Sequence, residues 1–134
     1  MIRIGTAGYG NIGRGVGAAV TRSCDMELKA VFTRRDPSSV KTVTGTPVLS
    51  YDQIGSMKDD LDVVIICGGS ARDLPWMTPE LAAQFNVIDS FAHHANIPEH
   101  FANVDASASA AGKIGIISCG WDPGYFSLAR IIAD

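Results

Sequence analysis

Residues 2–13 read Ile2-Arg3-Ile4-Gly5-Thr6-Ala7-Gly8-Tyr9-Gly10-Asn11-Ile12-Gly13. An apolar run leads into the glycines, and a helical pattern over residues 12–20 leads out. The spacing predicts strand, tight turn, helix. Gly8 permits the turn because it has no Cβ to clash. Gly10 lets a pyrophosphate approach the backbone, and Gly13 lets the helix pack close to the strand. The free N–H groups and positive dipole end of the helix then face the anion. Glycines also make ordinary turns, so the motif alone is weak. Its place at the opening of a strand–helix unit makes it a candidate dinucleotide-binding turn.

The surrounding chain suits that turn. Its 134 residues suffice for one domain. Hydrophobic residues make up 46% and charged residues 19%, as in a soluble globular protein. Lys+Arg 11 against Asp+Glu 14 gives a net charge of -3, which argues against a bulk nucleic-acid or anionic-membrane surface. Any anion site must be local. No apolar run approaches a membrane span, and Met1 leads straight into a strand, so the expected compartment is the cytoplasm. Cys24, Cys67 and Cys119 lack C-x-x-C spacing, so neither a disulfide framework nor a zinc site is expected. Cys67 and Cys119 end apolar strands and read as buried thiols. His93 and His94 are adjacent and point apart, and His100 falls on the following helix, so no metal is expected.

Strand and helix signals alternate along the chain. Ile12, Val16 and Val20 share one face of the first helix, and Gly15 and Gly17 suggest close packing on a sheet. Leu28-Lys29-Ala30-Val31-Phe32 reads as the second strand. Residues 36–47 are polar and read as a mobile loop. A short strand at Val48 precedes a short helix over residues 51–58, with Ile54 and Met57 inward. Asp62-Val63-Val64-Ile65-Ile66-Cys67 is nearly all apolar, as in a strand covered on both faces. Gly68-Gly69-Ser70-Ala71 follows at its C-terminal end, where ligands sit in doubly wound sheets. Leu74, Met77, Leu81 and Phe85 mark a core helix with Asp73 as N-cap and Pro75 in its first turn. Pro79 should kink it, or restart it with Thr78 as cap. Residues 86–90 form the next strand. Asn96 and Glu99 make a capping box for a helix burying Ile97, Phe101, Val104, Ala108 and Ala111, and Gly112 ends it. Residues 113–118 are the last strand, and a final helix starts at Tyr125. The fold class is α/β: a Rossmann-type doubly wound parallel sheet with helices on both faces.

The second strand ends about twenty residues beyond the glycine turn, where a ribose-binding group is expected. An NAD site would place Asp or Glu there. The chain has Thr33-Arg34-Arg35 instead, with no acidic residue before Asp36. A hydroxyl and two guanidiniums suit a 2′-phosphate, because Arg is planar, permanently charged and can bind phosphate through two N–H groups. The alternative is a solvated basic loop start.

The glycine turn, Arg34-Arg35, Gly69-Ser70-Ala71, Val87-Ile88-Asp89-Ser90 and Gly120-Trp121-Asp122-Pro123-Gly124 occur in this order. Together they resemble the meso-diaminopimelate dehydrogenase family, and the last motif is the most specific. The resemblance implies NADP-dependent oxidative deamination of the D-centre of meso-2,6-diaminopimelate to the 2-amino-6-oxo acid, in a cytoplasmic homodimer. It puts Tyr9, Gly10, Asn11 and Ile12 at the pyrophosphate and Thr33, Arg34 and Arg35 at the 2′-phosphate. Gly68, Gly69, Ser70, Ala71, Ser90 and Phe91 would line the cofactor, with Cys119, Gly120 and Pro123 of the last turn. Asp122 would bind the substrate ammonium at the reacting carbon, with Trp121 beside it.

Two departures follow. The family usually has a second acidic residue where this chain has Ala92. Family members are also more than twice as long. The resemblance therefore implies that this chain corresponds to the N-terminal cofactor domain, which should bind NADP and turn over poorly alone. The competing expectations are another Rossmann reductase, dihydrodipicolinate-reductase-like or sugar-oxidoreductase-like, and a non-catalytic nucleotide-sensing domain.

Overall fold

In the computed structural model, which describes residues 1–133, the opening strand β1 is Ile2–Ala7. Ile4, Thr6 and Ala7 are buried, as the central strand of a parallel sheet requires. The chain divides into two compact units, Met1–Gly68 and Gly69–Asp134.

The first unit continues with helix α1 (Asn11–Val20), β2 (Met26–Thr33), β3 (Val48–Ser50) and β4 (Val63–Ile66). Its strands are parallel, in the order β3-β2-β1-β4. The pairing register of β1 and β2 slips once, between Ile4 and Gly5. Gly5 sits under Leu61 and Phe32, where a Cβ would lie 2.8 Å from Leu61 Cδ1. Arg3 grips the start of β4 with a bidentate pair to Asp62, at 3.1 and 2.7 Å, and donates to Asp59 O at 2.8 Å.

Three details of this unit differ from the sequence expectation. The buried residues of α1 are Gly13, Gly17 and Val20, and Ile12 is 46% exposed. The helix meets the sheet through glycines, so the axis comes closer than a Val or Ile stripe would allow. Gly15 takes no part, with nothing within 4 Å of its Cβ direction. Residues 36–47 include a 3-10 turn (Pro37–Ser39) and are pinned to the core at Val40, which packs with Tyr9 and Val31. The predicted short helix is a 3-10 turn, Tyr51–Met57, with Ile54 buried.

The second unit contains α2 (Leu74–Ala82), β5 (Val87–Asp89), α3 (Ile97–Ala111), β6 (Gly115–Ile116) and α4 (Tyr125–Ala133). Strands β5 and β6 are parallel, with Val87 opposite Gly115. Leu74, Met77, Leu81 and Phe85 are all buried, as their spacing predicts. Five expectations fail here. Helix α2 runs through Pro79 without restarting, and the Thr78 hydroxyl donates to Asp89 instead of capping. Asn96 makes no side-chain cap, because a 3-10 turn (His94–Asn96) already leads into α3. The buried residues of α3 are His100, Val104 and Ala108, while Phe101 is 59% exposed and Ala111 is also exposed. Strand β6 is two residues long and exposed. Cys119, beyond it, is exposed too, whereas Cys67 is buried as expected.

Six parallel strands alternating with helices make this a Rossmann-type α/β fold.

Candidate functional site

In the first unit the glycine turn has the shape its sequence predicts. Gly8 has φ +105, a conformation that L side chains rarely adopt, and its N–H donates to Phe32 O at 2.8 Å. A Cβ on Gly13 would stand 2.5 Å from Gly8 O, so only glycine lets α1 start this close to the turn. Gly10 has open space where a Cβ would point. It is the N-cap of α1, with no side-chain cap and no acidic residue in the first turn. The first-turn N–H groups and the positive helix end are therefore available to an anion.

Tyr9 behaves differently from its neighbours in the motif. It is 2% exposed, and its hydroxyl accepts a hydrogen bond from Val43 N–H at 3.1 Å. Its side chain is core, so any phosphate contact at that position falls to the backbone. Asn11 and Ile12 are exposed.

At the end of β2, Thr33 is buried and its hydroxyl accepts from Arg35 N–H at 3.1 Å. Arg34 and Arg35 are exposed. Asp36 turns back on its own loop and accepts from both Ser38 N–H and Ser38 Oγ, at 2.9 and 2.8 Å. Those two bonds hold its carboxyl below the usual carboxylate range. The nearest acidic residue is thus committed to a turn, and the exposed groups at this strand end are guanidiniums. Gly68, partly buried, closes the unit after Cys67, whose thiol is pushed up to about 12 by burial.

The second unit carries the remaining candidates. Gly69 N–H donates to Asp73 Oδ2 at 2.7 Å, and Ser70 Oγ accepts from Ala92 N–H at 2.7 Å. Ala71 is exposed and Ser90 is partly buried. Phe91 is 2% exposed and its ring stacks on His100, with centroids 4.1 Å apart. Its side chain is packed inside the unit, so any cofactor contact at that position falls to the backbone.

The turn at residues 120–124 is closed on itself. Gly120 N–H donates to Pro123 O at 3.2 Å, and Tyr125 N–H to Gly120 O at 3.0 Å. Gly124 has φ +128, and a Cβ there would lie 2.2 Å from Gly120 O. The turn presents Trp121, 69% exposed, stacked on Tyr125 at 5.2 Å. Asp122 Oδ2 accepts from Arg130 at 3.2 Å, and Oδ1 faces His94 Nε2 at 4.0 Å. A partly exposed carboxylate beside an exposed indole can receive an ammonium.

Sequence reasoning missed three participants. Arg130 lies eight residues beyond Asp122 on α4, and no motif marks it. The buried Asp89 carboxylate meets His100 Nε2 in a hydrogen bond of 2.6 Å. Asp89 is wholly engaged inside the unit, so it does not take the place of an acidic residue at Ala92. Among the described residues no group of three His, Cys, Asp or Glu could hold a metal ion. No helix among them is long and apolar enough to cross a membrane.

No family model matches the chain. It is 56% identical over 133 residues to a meso-diaminopimelate D-dehydrogenase of Ureibacillus thermosphaericus, which spans 99% of this chain and 41% of that protein. A multiply substituted meso-dapdh of Clostridium tetani E88, solved with DAP, superposes with TM-score 0.91 at 48% identity, over 98% of this chain and 41% of that one. An engineered D-amino acid dehydrogenase bound to NADP+ superposes with TM-score 0.90 at 38% identity, over 98% and 40%. The resemblance read from the motifs is borne out along nearly the whole chain. The chain spans about two fifths of the length of the curated relatives it matches.

Proposed function

We propose that this chain is the cofactor-binding part of an NADP-dependent meso-diaminopimelate D-dehydrogenase. The reaction is oxidative deamination of the D-centre of meso-2,6-diaminopimelate to L-2-amino-6-oxopimelate and ammonium. The observation that carries the reading is the 56% identity with an enzyme of that name, maintained over 133 residues. The Rossmann reductases and the nucleotide sensor expected as alternatives account for the glycine turn but not for Gly120-Trp121-Asp122-Pro123-Gly124.

The residues present fit a dinucleotide. Gly10 leaves open space at an uncapped helix start, and Gly8 and Gly13 are places where a Cβ would strike backbone. When bound, NADP+ supplies a hydride acceptor for the amine-bearing carbon. The N–H groups at the start of α1 would hold the pyrophosphate, and Arg34 and Arg35 the 2′-phosphate. Each charge-assisted contact is worth about 1.5–3 kcal/mol, so one of them favours NADP over NAD by about tenfold or more. Asp122 would bind the substrate ammonium, orient the reacting carbon and support positive charge as it develops on the nitrogen. Trp121 would lie beside that carbon and leave it open to the water that releases ammonium. Homodimer assembly and a cytoplasmic location belong to the same proposal.

The test is NADP reduction by the longest chain the gene encodes, with meso-diaminopimelate set against simple D-amino acids. Turnover restricted to diaminopimelate supports the reading, and turnover only with other amines overturns the substrate. On this chain, fluorescence titration should show NADPH binding at least about tenfold tighter than NADH. Arg35→Glu should remove that preference. Equal affinities in the unsubstituted chain would sink the 2′-phosphate assignment.

A further inference from the structure

We propose that the buried Asp89 carboxylate, locked by Thr78 and His100, is the positioning residue that sets both ligand-lining segments of the second unit, residues 90–91 and 118–123. The proposal rests on the nucleotide-binding reading above for what those segments line, and on geometry for the rest.

Asp89 is the last residue of β5 and is 1% exposed. A carboxylate offers about four acceptor sites, and here four donors meet them. Oδ1 accepts from Phe91 N–H at 3.0 Å and Ser118 N–H at 2.9 Å. Oδ2 accepts from Thr78 Oγ1 at 2.7 Å and pairs with His100 Nε2 at 2.6 Å. The Asp89 carbonyl adds Cys119 N–H at 2.8 Å. One residue thus joins α2 and α3 to the exits of both β5 and β6.

The division of labour between the two oxygens matters. Among the described residues, Oδ2 takes side chains from helices, and Oδ1 takes backbone N–H groups from loops. A buried carboxylate is costly unless it is paired and fully bonded, so its place is dictated by the helices and is not adjustable. That place in turn dictates where the loop N–H groups sit. Ser118 shows the effect. Its φ is +56, which an L residue rarely adopts, and its own hydroxyl is buried without a partner. Its N–H bond to Asp89 therefore holds it in that conformation, and the Gly120 turn begins two residues on. His100 acts twice, since its ring also stacks on Phe91.

A buried polar network of this kind could serve stability alone. The experiment separates the two roles on this chain in a Cys24→Ser background. Asp89→Asn keeps the shape and can keep both backbone bonds through its carbonyl, but its amide must then face Thr78 and His100. Thr78→Val and His100→Gln each remove one arm at Oδ2 and leave Oδ1 untouched. Leu81→Ala, a core position in α2 at 0% exposure, is the destabilised control. Readouts are melting temperature, NADPH affinity by fluorescence and the labelling rate of the exposed Cys119 thiol.

Asp89→Asn, Thr78→Val and His100→Gln should weaken NADPH binding by about tenfold, the equivalent of one charge-assisted hydrogen bond. They should also change the Cys119 labelling rate, while Leu81→Ala lowers the melting temperature and leaves both readouts unchanged. Unchanged affinity and labelling in folded variants overturn the proposal, and so does the same change in Leu81→Ala. If Asp89→Asn does not fold, the two Oδ2 variants decide. If the unsubstituted chain binds no dinucleotide, the functional reading fails, and Cys119 labelling still decides on the anchor.

Discussion

Two glycines of the opening motif do different work, and substituting each by alanine separates them. At Gly13 a new Cβ would lie 2.5 Å from Gly8 O and 3.2 Å from Gly8 C. Ordinary contact between such atoms starts near 3.5 Å, so the overlap is about 1 Å. Both neighbours are backbone, and no flexible side chain can swing aside. Overpacking of this kind costs about 1–3 kcal/mol, here toward the upper end. Alanine recovers about 1 kcal/mol of helix propensity over glycine. The net loss for Gly13→Ala is about 2 kcal/mol, a melting decrease of roughly 5–10 °C for a chain of this size. At Gly10 nothing lies within 4 Å of the added Cβ, and φ is -84, which alanine adopts freely. Gly10→Ala should therefore change stability by no more than about 0.5–1 kcal/mol, the difference in N-cap preference. It should, however, stand a methyl group where the pyrophosphate approaches and weaken NADPH binding by about tenfold or more. The assay is thermal denaturation beside NADPH fluorescence titration on both variants. Wild-type NADPH affinity in Gly10→Ala would refute the ligand assignment, and a wild-type melting temperature in Gly13→Ala would refute the close approach.

Three further outcomes are expected. Asp62 is held down to about 2, chiefly by its side-chain bond to Arg3. A depressed carboxyl contributes stability that is present above its unfolded value near 4 and lost as pH falls through its folded value. The stability gap between the unsubstituted chain and Asp62→Asn should therefore be constant above about pH 5 and close between about pH 4 and 2; a gap independent of pH across that window would contradict the pairing. Burial pushes the Cys67 thiol up to about 12, so a thiol reagent at neutral pH should label Cys24 and Cys119 first and Cys67 only on unfolding, and prompt labelling of all three would show that Cys67 is open. Gly124→Ala should unseat the 120–124 turn, because the Cβ would meet Gly120 O, N and C at 2.2, 2.6 and 2.7 Å in a φ +128 backbone; the sign is a shifted Trp121 emission, and an unaltered spectrum counts against the turn geometry.

The parts of the fold visible in the sequence were those set by period and punctuation. β1 matches its apolar run residue for residue, and Leu74, Met77, Leu81 and Phe85 are all buried. Gly112 ends α3 with φ +64, as a C-terminal glycine should. The failures have physical causes. Periodicity counts His100 as polar and Phe101 as apolar, yet His100 is inside, because Asp89 satisfies it, and Phe101 is outside. The α1 stripe misled in the same way: small Gly13 and Gly17 fill the interface that Ile12 was expected to fill. Thr78 and Asn96 had the right residue type for caps, but a better partner or a preceding 3-10 turn left them uncapping. For the site, Arg34-Arg35, the glycine turn and Trp121-Asp122 were readable as local strings. The Asp89 network was not, since its members Thr78, Asp89, His100 and Ser118 are each eleven or more residues from the next.

Tyr9 stands between two of the motif's glycines, yet its side chain works elsewhere. Its ring packs with Val31 and Val40, and its hydroxyl holds Val43 N–H at 3.1 Å. A descendant chain that exchanged Tyr9 for alanine would keep every glycine of the fingerprint and still lose the tether of the segment after β2, which begins beside Arg34 and Arg35. A search that scores only glycines would rate that chain as intact. The physical unit at the turn is therefore larger than its fingerprint: it takes in a phenol and the apolar positions 31 and 40 that shelter it.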